Sequence, residues 1–222
     1  MDSLLSSYPT ERGSPLPFGA SQKEGITNFS IFSQSATGIL LCLFLPDQQH
    51  PFLEIPLNPL INRTGNLWHL GVKNLPEAFD WGYKIFTATK GVSSVISDPY
   101  SKQLNTPITW GSNFYQSNKI LSRWNPPASS FNWENETPPL IPLKDLIIYE
   151  MHVRGFTQSP SSQTIHRGTF EAIIEKIPYL KELGVNAIEL LPIFEFNECE
   201  NSLLNTKTKE RLYNFWGYST VN

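Results

Sequence analysis

Polar and apolar residues alternate through Asn28-Phe29-Ser30-Ile31-Phe32, the pattern of a strand with one face in water and one in a core. The same period returns at Leu67–Val72, where Trp68, Leu70 and Val72 share a face, and at Gly82–Thr89. Ile39–Leu45 is a continuous apolar run of strand length. Phe52–Leu57 carries Pro56 and follows Pro51, which confines it to a sheet edge. Ser33–Gly38 and Arg63-Thr64-Gly65-Asn66 have turn chemistry, and Val92–Ile96 closes the set before Asp98-Pro99-Tyr100. Short strands at this spacing predict an antiparallel, immunoglobulin-like β-sandwich over residues 10–104. Its expected core is Phe29, Ile31, Leu41, Leu43, Trp68, Leu70, Tyr83 and Ile85.

The pattern changes after Lys144. Leu146–Glu150 reads as a short buried strand and Val185–Leu191 as a second one. Between them Phe170, Ile173, Ile174, Ile177, Leu180 and Leu183 recur at helical spacing. Thr169 is placed to cap that helix and Gly184 to end it, while Pro178 predicts a kink or two abutting helices. Strand, helix, strand with continuous apolar runs predicts parallel βα units. A closed eightfold barrel takes about 250 residues, so residues 145–222 predict only the first units of a (β/α)8 TIM barrel. Residues 105–144 lack a period but hold several prolines together with Trp110, Trp124 and Trp133. That composition predicts an ordered connection and not a flexible tether.

Composition narrows the class. The chain of 222 residues is 40% hydrophobic and 17% charged, which is a globular balance. A net charge of -3 gives no electrostatic case for nucleic acid. The longest apolar run is seven residues, which argues against a membrane span. Met1-Asp2-Ser3-Leu4 has no basic or apolar leader pattern, and Cys42 and Cys199 lack CxxC spacing. Both features point to the reducing cytoplasm. Aromatics reach 13%, with six Trp. Flat rings suit the apolar faces of sugars, although core packing is their commoner use.

Candidate chemistry gathers at Tyr149–Thr157, where Glu150, His152 and Arg154 follow a strand. In a parallel barrel that end is the active-site face. Glu150 could move a proton and His152 could donate to a hydroxyl. The preferred alternative is that both tie down the loop. Glu189, inside the second strand, reads as a barrel-interior group that needs a partner. The four histidines are scattered, which predicts no metal site, and no phosphate loop or nucleophile elbow implies a cofactor. In Phe215-Trp216-Gly217-Tyr218, Gly217 would let the backbone turn closely while Trp216 and Tyr218 present rings.

Several stretches taken together resemble the glycogen-debranching and isoamylase branch of the α-amylase superfamily, glycoside hydrolase family 13. They are Pro15–Ala20 with Asn28–Ser33, Tyr149–Thr157, Tyr179–Val185 running into Glu189-Leu190-Leu191-Pro192, and Asn214–Tyr218. The resemblance implies a carbohydrate-binding-module-48 sandwich followed by a barrel that hydrolyses α-1,6 branch linkages in glycogen or related glucan. It implies a retaining mechanism with an Asp nucleophile and a Glu acid/base. Both would come from later barrel strands, so no catalytic residue is expected among these 222. Tyr218 matches a position implied to stack on the sugar, and Trp216 and His152 are the other candidate contacts. The rival reading is a stand-alone glucan-binding protein. The 222-residue chain alone is expected to release no reducing ends from glycogen above a buffer blank; measurable release by the pure chain would contradict this.

Overall fold

A computed structural model describes residues 6–106, 109–112, 119–125 and 132–221. The chain divides into two compact units, residues 1–128 with 222, and 129–221.

The first unit holds two five-stranded antiparallel sheets among the described residues. One contains β1 (Thr10–Glu11), β2 (Gly19–Lys23), β3 (Ile26–Phe32), β6 (Arg63–Thr64) and β7 (Leu67–Lys73). The other contains β4 (Ala36–Phe44), β5 (Leu53–Leu57), β8 (Phe79–Thr87), β9 (Gly91–Val92) and β10 (Ser122–Trp124). Phe29, Ile31, Trp68, Leu70 and Val72 of the first sheet share one core with Ile39, Leu41, Leu43, Phe79, Trp81 and Tyr83 of the second. Phe29, Ile31, Leu41, Leu43, Trp68, Leu70 and Tyr83 are the expected core residues, whereas Phe79 and Trp81 join from β8 ahead of the strand start expected at Gly82. Ile85 sits at the rim of that core and is only partly buried.

The differences from the sequence reading have local causes. β2, with the sequence Gly-Ala-Ser-Gln-Lys, has no apolar alternation because it is an edge strand with only Gly19 buried. It joins β3 through Glu24 and Gly25, both at positive φ (52° and 76°), the geometry of a tight hairpin. β4 begins at Ala36, inside the expected turn, through a register shift between Ala36 and Gly38. The strand expected at Val92–Ile96 is reduced to Gly91–Val92 and a single bridge from Ile96 to Tyr83. β5 lies at its sheet edge, where Pro56 is tolerated.

β10 is the larger correction. It falls inside the stretch read as connection, yet pairs with β8 from Ser122↔Trp81 to Trp124↔Phe79. Buried polar groups hold it there. Arg123 Nε and Nη2 donate to the two carboxylate oxygens of Asp80 at 2.7 and 2.9 Å. Asp80 is fully buried and Arg123 is mostly covered. His69 is also buried, with Thr64 Oγ1 and the Arg12 carbonyl 2.9 Å from its two ring nitrogens.

In the second unit, β11 (Ile148–Met151) and β12 (Ala187–Leu190) pair in parallel. Between them lie α1 (Val153–Thr157) and α2 (Phe170–Glu182). The Thr169 side chain caps α2 by accepting from Ala172 N–H. At the other end Gly184, at φ 82°, turns the chain. There Gly184 N–H donates to the Lys181 carbonyl and Val185 N–H to that of Leu180, which closes a Schellman motif. α2 runs through Pro178 as one helix, which leaves the kink and excludes the abutting pair of the two expected alternatives. β11 is not the buried strand expected: only Met151 is buried. Glu189 is exposed on the sheet face that α2 leaves uncovered, which is the face a (β/α)8 barrel would turn inward. That face carries Met151, Tyr149 and Leu190. Glu150 and Glu189, register partners on the other, are both exposed. Asn186 clamps the strand starts, accepting from Ile147 N–H at 2.7 Å and donating to the Asp145 carbonyl at 2.9 Å.

Removing one partner of a buried ion pair strands the other charge, at a cost of about 3–5 kcal/mol. Arg123→Ala is therefore expected to lower unfolding free energy by about 3 kcal/mol, read by urea denaturation. Arg123→Lys should recover only part, because it cannot reproduce the two-pronged contact.

Candidate functional site

A cavity of about 430 Å3 opens beside the C-terminal end of β11. Tyr149, Glu150, Met151 and His152 line it from the strand end, Phe156 from α1, Leu191 from beyond β12, and Phe215 and Trp216 from the closing segment. Its wall is largely aromatic, with Glu150, His152 and the Tyr149 phenol as the titratable groups.

His152 is fixed from two sides. It is the N-cap of α1, with Nδ1 accepting from Gly155 N–H at 3.0 Å. Its ring stacks on Phe215 at 4.8 Å between centroids and meets Trp216 edge-on at 5.6 Å. Burial pushes the imidazole below its ordinary range, against the opposing effect of a hydrogen bond with the Phe215 backbone. At neutral pH the ring is therefore uncharged, as its accepting Nδ1 requires. The capping role matches the preferred sequence reading, in which the histidine ties down the loop.

Burial also lowers the pKa of Arg154, opposed by the attraction of Glu198. Glu150 is exposed on the cavity wall. Beyond α1, Thr157 is buried and its Oγ1 accepts from Gly168 N–H at 2.8 Å, joining the helix end to the segment that starts α2.

The closing segment is shaped by Gly217. Its φ is 75°, its N–H donates to Asn214 Oδ1 at 3.1 Å, and a Cβ there would lie 2.9 Å from the Phe196 ring. A side chain at this position would have to displace that ring. The turn presents Trp216 to the cavity with 55% of its surface exposed. Tyr218 is 68% exposed and is not among the residues lining the cavity. The structure thus brings His152 and Trp216 together and leaves Tyr218 apart from them. Phe215 was not singled out from the sequence as a site residue, although it adjoins Trp216 in the same aromatic run.

Comparison with known proteins finds a family resemblance within the first unit. Residues 17–101 match carbohydrate-binding module 48, the isoamylase N-terminal domain. This stretch of the chain is similar to a carbohydrate-binding module 48. The module match ends before β10, which the sheet nevertheless includes.

The similarity extends well past the module. The chain is 41% identical over 226 residues to isoamylase 1, chloroplastic, of Oryza sativa, covering 95% of this chain and 27% of that protein. It is 35% identical over 227 residues to a glycogen operon protein GlgX homolog of Haemophilus influenzae, covering 94% of this chain and 33% of that one. The chain is thus similar to an isoamylase and to a glycogen operon protein, and spans about three-tenths of the length of these relatives. The apo pullulanase of Paenibacillus barengoltzii shares the fold over 95% of this chain and 32% of its own, with a TM-score of 0.69 at 21% identity.

His152 has a native pKa below its unfolded value of about 6.5. Its contribution to stability is present above that value and lost as pH falls through the depressed native pKa. Protonation also removes the Nδ1 acceptor. Thermal melts of the wild type should therefore fall between neutral pH and about pH 5 more than those of His152→Ala. The variant should lose about 1 kcal/mol of cap stabilisation at neutral pH.

Proposed function

We propose that this chain is the N-terminal part of a glycogen-debranching glycoside hydrolase that cleaves α-1,6-glucosidic branch linkages in glycogen or a related branched α-glucan. The observation that carries this reading is the 41% identity to an isoamylase across 95% of the chain, through both the module and the parallel βα unit. In this reading residues 10–104 are the core of the module and 105–144 an ordered connection that lends β10 to it. Residues 145–222 begin the (β/α)8 barrel. The parallel pairing of β11 with β12 and the helix packed on one face support that placement.

The residues of this chain bind and orient; none is assigned the role of nucleophile or acid/base. The aromatic wall around His152 and Trp216 lies at the strand end where a barrel collects its substrate. Tyr218, exposed beyond the Gly217 turn, stacks on the glucosyl ring being cleaved. A ring there favours the partly cationic sugar of the transition state. The proposed compartment is the cytoplasm; the rice relative is named chloroplastic. Cys42 and Cys199 are buried and not joined in a disulfide, which suits a reducing environment in either case.

The test is a chimera in which this chain replaces the matching segment of the rice isoamylase. It should release linear chains from glycogen. A well-folded chimera that leaves the branch linkages intact would overturn the reading. In the same chimera Tyr218→Ala should cut kcat about tenfold or more, the worth of one cation–π contact. Tyr218→Phe should keep most of it, with the melting temperature unmoved in both. A lower melting temperature with normal kcat would make Tyr218 a packing residue instead.

A further inference from the structure

Residues 214–221 are tied to residues 195–198 on both sides of the Gly217 turn. Before the turn, Asn214 N–H donates to the Glu198 carbonyl at 2.8 Å. After it, Phe196 and Thr220 pair in an isolated antiparallel bridge, and Val221 N–H donates to the Glu195 carbonyl at 2.9 Å. The turn itself closes on the Asn214 side chain, whose Oδ1 accepts from Gly217 N–H. Trp216 and Tyr218 are exposed and flank Gly217, which is buried.

The ring of Phe196 covers that glycine. A Cβ at residue 217 would come within 2.9, 3.0 and 3.4 Å of three of the ring's carbons. The ring therefore seats directly against the glycine backbone, at a distance no other residue type would allow. Glycine supplies the positive φ of the turn, but it adopts either sign of φ with equal ease. Its freedom has to be removed from outside if the neighbouring rings are to keep one direction. Phe196 is the side chain placed to do so, and its own segment is anchored. Glu198, two residues on, is buried and attracts Arg154 of α1.

We propose that Phe196 is a positioning residue for the debranching reaction: its ring, seated on Gly217, locks the turn that aims Tyr218 at the sugar. This rests on the debranching reading and on the stacking role of Tyr218, and it gives Phe196 no contact with substrate. A small error of aim is costly, since a misplacement of about 1 Å can lower a rate about a hundredfold.

The test has two arms. In the 222-residue chain, amide exchange followed by NMR should show Gly217 N–H protected in the wild type and exchanging about tenfold faster in Phe196→Ala. Phe196→Leu keeps apolar bulk against the glycine and should restore part of that protection. In the rice chimera, Phe196→Ala should lower kcat about tenfold or more and change KM less, because the ring acts through a transition-state contact. Phe196→Ala combined with Tyr218→Ala should be no slower than Tyr218→Ala alone, since nothing is then left to position. Additive losses would make Phe196 an independent contributor and overturn the proposal. So would unchanged Gly217 exchange, or a normal kcat with only a lowered melting temperature. If Phe196→Ala does not fold, Phe196→Leu carries the same comparisons with smaller effects. An inactive wild-type chimera would overturn the debranching reading and this role with it. An active chimera indifferent to Phe196→Ala would overturn the role alone.

Discussion

One buried carboxylate organises the edge of the sandwich. Asp98 is fully buried, and its oxygens accept from Tyr83 Oη at 3.0 Å, Trp81 Nε1 at 3.3 Å and Tyr100 N–H at 2.9 Å. Its own N–H donates to Ser122 Oγ at 2.8 Å. Burial pushes the carboxyl above its ordinary range, and the hydrogen bonds pull the other way. A buried polar group of this kind is tolerated only when its partners are all in place. Asp98 therefore fixes β8, the turn through Tyr100 and β10 relative to one another. With β10 set, Arg123 reaches Asp80 and Trp124 reaches Phe79. The cleft between Trp124 and Tyr100 is a consequence of that one anchored position.

The second unit is held by a different kind of constraint. Its order comes from helix ends: Thr169 and His152 as N-caps, the Schellman turn at Gly184, and the Asn186 clamp. These satisfy backbone groups but bury little apolar area. Phe170, Ile174, Ile177 and Ile188 stay largely exposed around an apolar groove of about 690 Å3 between α2 and β12. In an isolated domain such a face favours association. The proposed barrel accounts for it, because the next βα unit would lie against that groove.

Function follows the same division. In the first unit, Trp124 and Tyr100 wall a cleft beside β10, each stacked on a second ring. At the end of β11, one histidine serves two ends. It caps α1 through Nδ1 and turns its ring against Phe215 and Trp216. A residue that would otherwise pass as either structural or ligand-binding is structural by its ring nitrogen and wall-forming by its face.

The sequence by itself determined what depends on local periodicity and local chemistry. The alternation at Phe29, Ile31, Trp68 and Leu70 set which faces meet in the sandwich core. Thr169, Gly184 and the stripe on α2 set that helix's limits. The aromatic run at Phe215-Trp216-Gly217-Tyr218 marked a place where rings are presented. Tertiary structure decided whatever depends on partners distant along the chain. β10 was not legible because Ser-Arg-Trp is too short to show a period, and only Asp80, 43 positions earlier, makes Arg123 a sheet residue. The exposure of Glu189 turned on which sheet face α2 covers, and the separation of Tyr218 from Trp216 on the path of the chain beyond Gly217. Hydrophobic patterning records which side of an element faces a core. Where a buried charge finds its opposite, and where a turn aims its rings, is settled only when the chain has folded back on itself.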